Sequence, residues 1–300
     1  MESVVAVDIG GTKIAVALVQ GTAITWRATA PFDSAGAVDA IAALVAEASA
    51  QAPTVPTIGV ACAGLVDVAH GHIAFAGNLG WRDFPLRAEL EARLARPVLL
   101  EHDGRAAIWA EYVHGGLTGD AMGIVLGTGV GGGFVLDGHL HRGAHGFSGE
   151  VGHVPVPGAT ASCACGRHGC LEAVASGLAI STRVVAAGLP HASTGALAQA
   201  ARLGDPVASA LLQEVGMAVG QVVATFANAL DIGTVIIGGG FGSTLDIWAE
   251  SAQQVIDGTT LAGLHATAPR LQPAAFGNDA PLLGVALLAG GAATPAVIGT

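Results

Sequence analysis

"VVAVDIGGTKIAVALV", Val4–Val19, sets two apolar, β-branched stretches on either side of two glycines, with Asp8, Thr12 and Lys13 gathered at the join. The composition of Val4–Ile9 and Ile14–Val19 predicts antiparallel strands, and Gly10-Gly11 predicts a two-residue hairpin turn between them. A bare hairpin needs only the glycines. A carboxylate, a hydroxyl and an ammonium around a backbone without side chains suit a further task. The N–H groups of such a loop can point at a phosphate, and a carboxylate beside it can hold a hydrated Mg²⁺. This stretch alone leaves open an ordinary polar surface turn.

A second stretch of the same kind, "AMGIVLGTGVGGGFVLDGHLHRG" (Ala121–Gly143), predicts strands Met122–Leu126 and Phe134–Leu136 around a loop that contains Gly127, Thr128 and Gly129 and runs on through Gly133. A strand follows the glycines where a dinucleotide fingerprint needs a helix, and neither loop ends in Gly-Lys-Ser/Thr as a Walker A loop would. Gly238, Gly239 and Gly240 follow a predicted strand, Thr234–Ile237, and precede a predicted helix from about Thr244. Bare backbone at a strand's carboxyl end suits a flat ligand such as a nucleoside. Two hairpins and a strand–glycine–helix unit, in this order, point to a duplicated fold whose halves grip a triphosphate.

Composition agrees with that class. Of 300 residues, 52% are hydrophobic but only 4% aromatic, and 45 are glycine, which favours α/β layers in two lobes over an all-β sandwich. The net charge of −11, with no basic run, argues against nucleic acid and anionic membrane as partners. The first predicted strand starts so soon after Met1 that no signal peptide or helix-turn-helix is expected ahead of it, and a cytoplasmic protein is expected. The uncharged Ala280–Thr300 is broken by Pro281, Gly284, Gly290, Gly291 and Pro295, so Pro281–Ala289 reads as a buried terminal helix and not a membrane span. Val207–Leu230 reads as one long apolar helix or two abutting ones.

Cys163, Cys165 and Cys170 fall within eight residues, while Cys62 stands alone and reads as a small core residue. An odd, crowded set of thiols in a cytoplasmic chain points to zinc, with a fourth ligand to come from a nearby histidine such as His145, His153 or His168. "RPVLLEHDGRAAIWAEY" predicts a strand, Pro97–Leu100, and a helix from about Gly104 to Tyr112, with Asp103 at their junction. There Asp103 can cap the helix, accept a proton from a substrate hydroxyl, or do both.

With these segments in this order, and with "AGNLGWRDFPL" (Ala76–Leu86), "EHDGRAA" (Glu101–Ala107), "HRGAHGFSGEVGH" (His141–His153) and "CACGRHGCLE" (Cys163–Glu172), the chain resembles the ROK family of sugar kinases and repressors. That family lies within the actin-like, ribonuclease-H-like ATPase superfamily. The resemblance implies an α/β, two-lobed actin-like ATPase fold with a zinc-bound loop. Residues 1–104 with about 281–300 would form the small lobe, and 105–280 the large lobe carrying the second hairpin and the zinc.

It implies ATP and Mg²⁺ at Asp8, Gly10, Gly11, Thr12, Lys13, Gly127, Thr128, Gly129 and Gly238–Gly240. A hexose would be held by Gly64, Asn78, His102, Asp103, Glu150, His153 and Glu172, with Asp103 as base, and His153 would complete a structural zinc site with the three cysteines. The activity implied is ATP-dependent phosphorylation of a hexose 6-hydroxyl, glucose foremost, by a kinase form without a DNA-binding segment and often dimeric.

The chain departs from the family pattern at one place. His102 stands where the family ordinarily has Asn, and Gly104 and Arg105 replace Ala and Asn. Imidazole is bulkier than an amide and titrates near neutrality, which makes an amino or N-acetylamino hexose such as kanosamine or N-acetylmannosamine a rival substrate. A non-catalytic sugar-sensing regulator is the alternative of another class; it could dispense with Asp103 and both hairpins, yet all are present.

Overall fold

The computed structural model describes residues 3–52, 57–186, 188, 193–261 and 268–291. These fall into two compact units. The first takes the described residues up to Leu117, then His139–Gly149, then those from Asp279 onward; the second takes Thr118–Gly138 and Glu150–Asn278.

In the first unit β1 (Val4–Ile9), β2 (Lys13–Gln20) and β3 (Ala23–Pro31) form an antiparallel meander, joined by the parallel strands β4 (Ile58–Cys62) and β8 (Val98–His102) in the order β3-β2-β1-β4-β8. Near-continuous apolar strands are expected where both faces are covered, and every residue of β4 is buried. A smaller antiparallel sheet, β5 (Leu65–Asp67), β6 (His72–Ala76) and β7 (Trp81–Phe84), follows β4. Helices α1 (Ala37–Ser49), α2 (Leu86–Leu94) and α3 (Asp103–His114) complete the run.

The second unit opens with β9 (Ala121–Leu126) and β10 (Val130–Leu136). After β11 (His139–His141) in the returning segment come α4 (Leu171–Ala175), α5 (Gly177–Ala186), α6 (Thr194–Arg202), α7 (Pro206–Leu230), β12 (Thr234–Gly238), α8 (Leu245–Thr259) and β13 (Arg270–Pro273). The order β10-β9-β12-β13 repeats β2-β1-β4-β8: one antiparallel hairpin, then two parallel partners. The duplication expected from the glycine loops is therefore present in the sheets. Each unit has its own core, one around Val7, Val16, Ile58 and Leu100, the other around Ile124, Val219, Val235 and Trp248.

The last helix, α9 (Ala280–Ala289), packs on β1, β4 and α3 of the first unit. At its closest point a Cβ on Gly284 would lie 1.8 Å from the Ala106 carbonyl oxygen, so only glycine fits. The compact units differ from the expected lobes: α3 stays whole in the first unit where a break after residue 104 would cut it, and His139–Gly149 return to that unit. Residues 292–300 of the expected small lobe lie outside the described residues. α7 is a single helix, long and apolar enough to cross a membrane by length and composition, yet most of its buried side chains belong to the second core.

Two local readings change. The first hairpin has a three-residue loop, Gly10–Thr12, and neither glycine takes the left-handed φ that a primed two-residue turn requires. In the second, Gly131, Gly132 and Gly133 belong to β10, paired with Val125, Ile124 and Gly123. Gly132 is there for close packing: a Cβ on it would meet the Gly123 oxygen at 2.4 Å.

Candidate active site

Strands β1, β4 and β8 run parallel, and their pairing sets Ile9 beside Cys62 and Cys62 beside His102, so all three carboxyl ends open on one edge. Such an edge is where α/β sheets bind ligands. Asp8 lies here, its carboxyl pushed up to about 7 by burial and next by the negative charge of Asp103, against the pull of Lys13 and Arg27. Cys62 is fully buried, and the same two carboxylates add to burial in raising its thiol.

Beyond Asp8 the hairpin turns. Gly10 N–H donates to the Lys13 carbonyl at 3.0 Å and Phe32 N–H to that of Thr12 at 3.1 Å. The N–H groups of Gly11 and Thr12 meet no acceptor among the described residues. Asn78 is exposed in the turn after β6, and a Cβ on Gly11 would lie 3.1 Å from its Nδ2. Gly64 has φ +104°, and a Cβ there would strike the Phe75 oxygen at 2.6 Å; no other residue holds that turn so close to β6.

At the end of β8 the structure differs from the expected cap. His102 fills the N-cap of α3: its Nδ1 accepts from the Arg105 N–H at 3.3 Å, and Asp103 becomes the first helical residue. With Nδ1 an acceptor, the neutral ring carries its hydrogen on Nε2, 3.2 Å from Asp103 Oδ1. Asp103 remains about one third exposed, and an acidic group in a first turn suits the helix dipole.

Beneath it lies an ionic cluster that the motifs did not disclose. Glu101 is fully buried and accepts from Arg105 Nε at 2.8 Å, Arg142 Nε at 2.7 Å and the His102 N–H at 2.9 Å. Burial alone would raise its carboxyl, but the two guanidiniums hold it below its ordinary value. Arg105 also donates to the Ser148 carbonyl at 2.8 Å. The cluster thereby ties the returning His139–Gly149 segment to the β8–α3 junction inside one unit. A buried carboxylate held by two arginines stiffens whatever it touches, and here that is the backbone carrying His102 and Asp103. The signal in the sequence was Arg105 itself, a cation at the head of the apolar run Ala106–Ala110.

In the second unit Gly127 N–H donates to the Gly129 carbonyl at 3.0 Å, and the N–H groups of Thr128 and Gly129 meet no acceptor among the described residues. Gly239 has φ +83°, and a Cβ there would lie 2.4 Å from the Leu126 oxygen. Glycine therefore lets β12 turn against the end of β9. Gly238 closes that strand, Gly240 faces open space, and a short 3₁₀ turn leads into α8.

His153, Cys163, Cys165 and Cys170 bring their ligand atoms within 4.8 Å of one another. Cys165 and Cys170 sulfurs are 3.7 Å apart, as are Cys163 Sγ and His153 Nδ1; a tetrahedron with bonds of about 2.3 Å has edges of about 3.8 Å. Soft thiolates with one imidazole are the donor set of structural zinc, and these residues fit it. The chain folds back on itself to make the site, with Cys163 N–H on the Arg167 carbonyl at 2.8 Å and Leu171 N–H on that of Val154 at 2.9 Å. Arg167 holds the exposed Cys165 thiol down to about 6, while burial pushes Cys170 up to about 12. His153 turns its other nitrogen, Nε2, to within 3.9 Å of Glu150.

Two sheets of one topology, each with a bare-backbone hairpin, and a carboxylate pair at a strand edge define an actin-like ATPase fold built for phosphoryl transfer. The chain belongs to the ROK family, whose model matches residues 4–292. A ROK family glucokinase from Streptomyces griseus, solved with glucose and AMPPNP, is similar with TM-score 0.82 and 34% identity over 96% of this chain and 99% of that one. An N-acetylmannosamine kinase of Yersinia pestis is 34% identical over 95% of this chain and 97% of its own. A ROK family transcriptional regulator, a homolog of the E. coli MLC protein, is similar with TM-score 0.86 and 27% identity, over 96% of this chain and 78% of that one. Kinship of this extent with kinases makes the chain a sugar kinase.

Proposed function

We propose that the enzyme transfers the γ-phosphoryl group of ATP to the 6-hydroxyl of a hexose, glucose or a glucose-like sugar. The observation that carries this is the pair Asp8 and Asp103 at the carboxyl edge of β1, β4 and β8, with Asp8 raised by burial and next by the charge of Asp103. Two carboxylates so placed suit a split of roles, one holding a cation and the other accepting a proton. Asp8 would hold the Mg²⁺, which supplies neutralising charge to the phosphates. Asp103 takes the proton of the 6-hydroxyl as that oxygen bonds to the γ-phosphorus and ADP leaves.

Lys13 and the unclaimed N–H groups of Gly11, Thr12, Thr128 and Gly129 suit phosphate oxygens. Gly238, Gly239 and Gly240 offer bare backbone to the nucleoside. Gly64, Asn78, His102, Glu150, His153 and Glu172 are assigned to the sugar, with zinc on His153, Cys163, Cys165 and Cys170 fixing the imidazole through Nδ1. An ATP-consuming reaction and free thiols suit the cytoplasm.

Buried His102 favours a second reading, a kinase of an amino or N-acetylamino hexose, which the Yersinia relative supports. ADP release measured by a coupled assay across glucose, mannose, kanosamine, glucosamine and the N-acetylhexosamines separates the two. Turnover on glucose, with phosphate on O6 by NMR, is the expected result. Sugar binding without ADP release from any of them would overturn both readings in favour of a regulator.

A further inference from the structure

The second hairpin is held from one side by a single short stretch of chain. Val130 N–H donates to Glu172 Oε2 at 3.0 Å, Gly177 N–H to the Gly127 carbonyl at 2.8 Å, and Leu178 N–H to that of Thr128 at 3.4 Å. The stretch begins at Cys170, which is both a member of the Cys₃His cluster and the N-cap of α4, and Glu172 follows two residues later. Its other oxygen, Oε1, lies 3.9 Å from Cys163 Sγ. The carboxylate is pressed so close to the loop that a Cβ on Gly129 would stand 2.6 Å from Oε2. Thus one side chain touches the backbone of the hairpin and the sulfur of the metal cluster at once.

We infer that Glu172 is a positioning residue for the Gly127–Gly129 hairpin, and that through it the metal-bound loop supports nucleotide binding as well as sugar binding. The inference rests on the kinase reading above. A glycine hairpin has little to fix its conformation, because glycine loses more freedom on ordering than any other residue. A charge-assisted hydrogen bond from Val130 N–H to the carboxylate supplies part of what is missing. It fixes the base of the loop while the N–H groups of Thr128 and Gly129 stay unclaimed for phosphate. The Gly177 and Leu178 bonds fix the carbonyls of Gly127 and Thr128 from the same stretch. Loosening Cys170 by removing the metal would therefore be felt at the hairpin.

A ligand of the sugar alone would leave nucleotide affinity untouched when no sugar is present, and this separates the two roles. Calorimetric binding of Mg²⁺ with a non-hydrolysable ATP analogue, without sugar, is to be measured for the zinc-loaded wild type, Glu172→Ala and Glu172→Gln. The alanine variant is expected to bind at least roughly tenfold more weakly, whereas the glutamine variant, whose amide oxygen still accepts from Val130 N–H, stays within about threefold of wild type. Stripping zinc with a chelator should weaken binding in the wild type and add little in Glu172→Ala, because the link is already cut.

Gly129→Ala serves if Glu172→Ala does not fold. Its added methyl displaces the carboxylate, so nucleotide affinity should fall while zinc content by elemental analysis stays that of the wild type. Equal affinity in wild type and Glu172→Ala, or in wild type and Gly129→Ala, would overturn the inference and leave the kinase reading standing. A wild type that binds no nucleotide would overturn the kinase reading itself.

Discussion

The two hairpins join matching strands of the two sheets and differ in loop length and in charge: four residues lie between the paired Ile9 and Ile14, three between Leu126 and Val130. Both leave two consecutive N–H groups near the turn without an acceptor among the described residues, Gly11 and Thr12 in one, Thr128 and Gly129 in the other. Counting back from the ends of β1 and β9, Asp8 in the first unit stands where the second has Val125. The first hairpin thus carries a half-buried carboxylate and a lysine; the second carries no charge of its own and is held by Glu172. Duplication supplied the strand pairing twice, and charge was placed once. Under the proposed function this suits a triphosphate, which needs many backbone donors but only one place for a hard cation.

The chemistry proposed for the first unit is broken most severely by Asp103→Asn. The amide keeps the shape and cannot take a proton, so kcat is expected to fall by about 10²–10⁴-fold with sugar affinity little changed. Near-normal turnover would reduce Asp103 to a helix-terminal charge.

Asp8→Asn sharpens the contrast through stability. Folded Asp8 titrates near 7, above its unfolded value, so folding takes up a proton, and the ionised form weighs against the fold. That penalty is absent below the unfolded pKa, grows as pH rises, and is complete above about pH 7. Without ligand the variant should be more stable than wild type at pH 8, by at most about 4 kcal/mol and less in practice because the group keeps some solvent. The difference should vanish near pH 4, and phosphorylation should be lost. A variant no more stable at pH 8 would remove the burial argument.

The second unit's metal loop gives the next test. One zinc per chain is expected by elemental analysis, and Cys165→Ser should lower both the zinc content and the affinity for sugar. Neither quantity changing would remove zinc from the site.

The smallest effect concerns His102→Asn. Asparagine caps helices well, so the melting temperature should hardly move. The ratio of kcat/KM between glucose and an amino or N-acetylamino hexose should shift toward glucose by about tenfold, or ~1.4 kcal/mol. An unchanged ratio would leave His102 with the cap of α3 and no part in substrate choice.

Much of the site could be read because it is local. Gly-Thr loops between apolar strands, three cysteines in eight residues and an acid at a strand–helix junction each lie within a few positions of one another. Other details escaped for particular reasons. Periodicity does not tell a glycine in a loop from one in a strand, and Gly131–Gly133, which pattern alone places in the loop, stand in β10. The cap of α3 went to His102 because its ring nitrogen reaches the Arg105 N–H, a matter of side-chain geometry.

The sequence by itself determined the strand order of events along the chain, the duplicated hairpins and the cysteine cluster, since each depends on neighbours in the chain and on the spacing of apolar residues. Only the tertiary structure decided which partners meet across long separations. It put Glu101 between Arg105 and Arg142, Glu172 against Val130, and α9 on the first unit. The physical reason is that such contacts are chosen by burial and by the need of every buried charge and N–H for a partner. Those conditions exist only once the chain is packed.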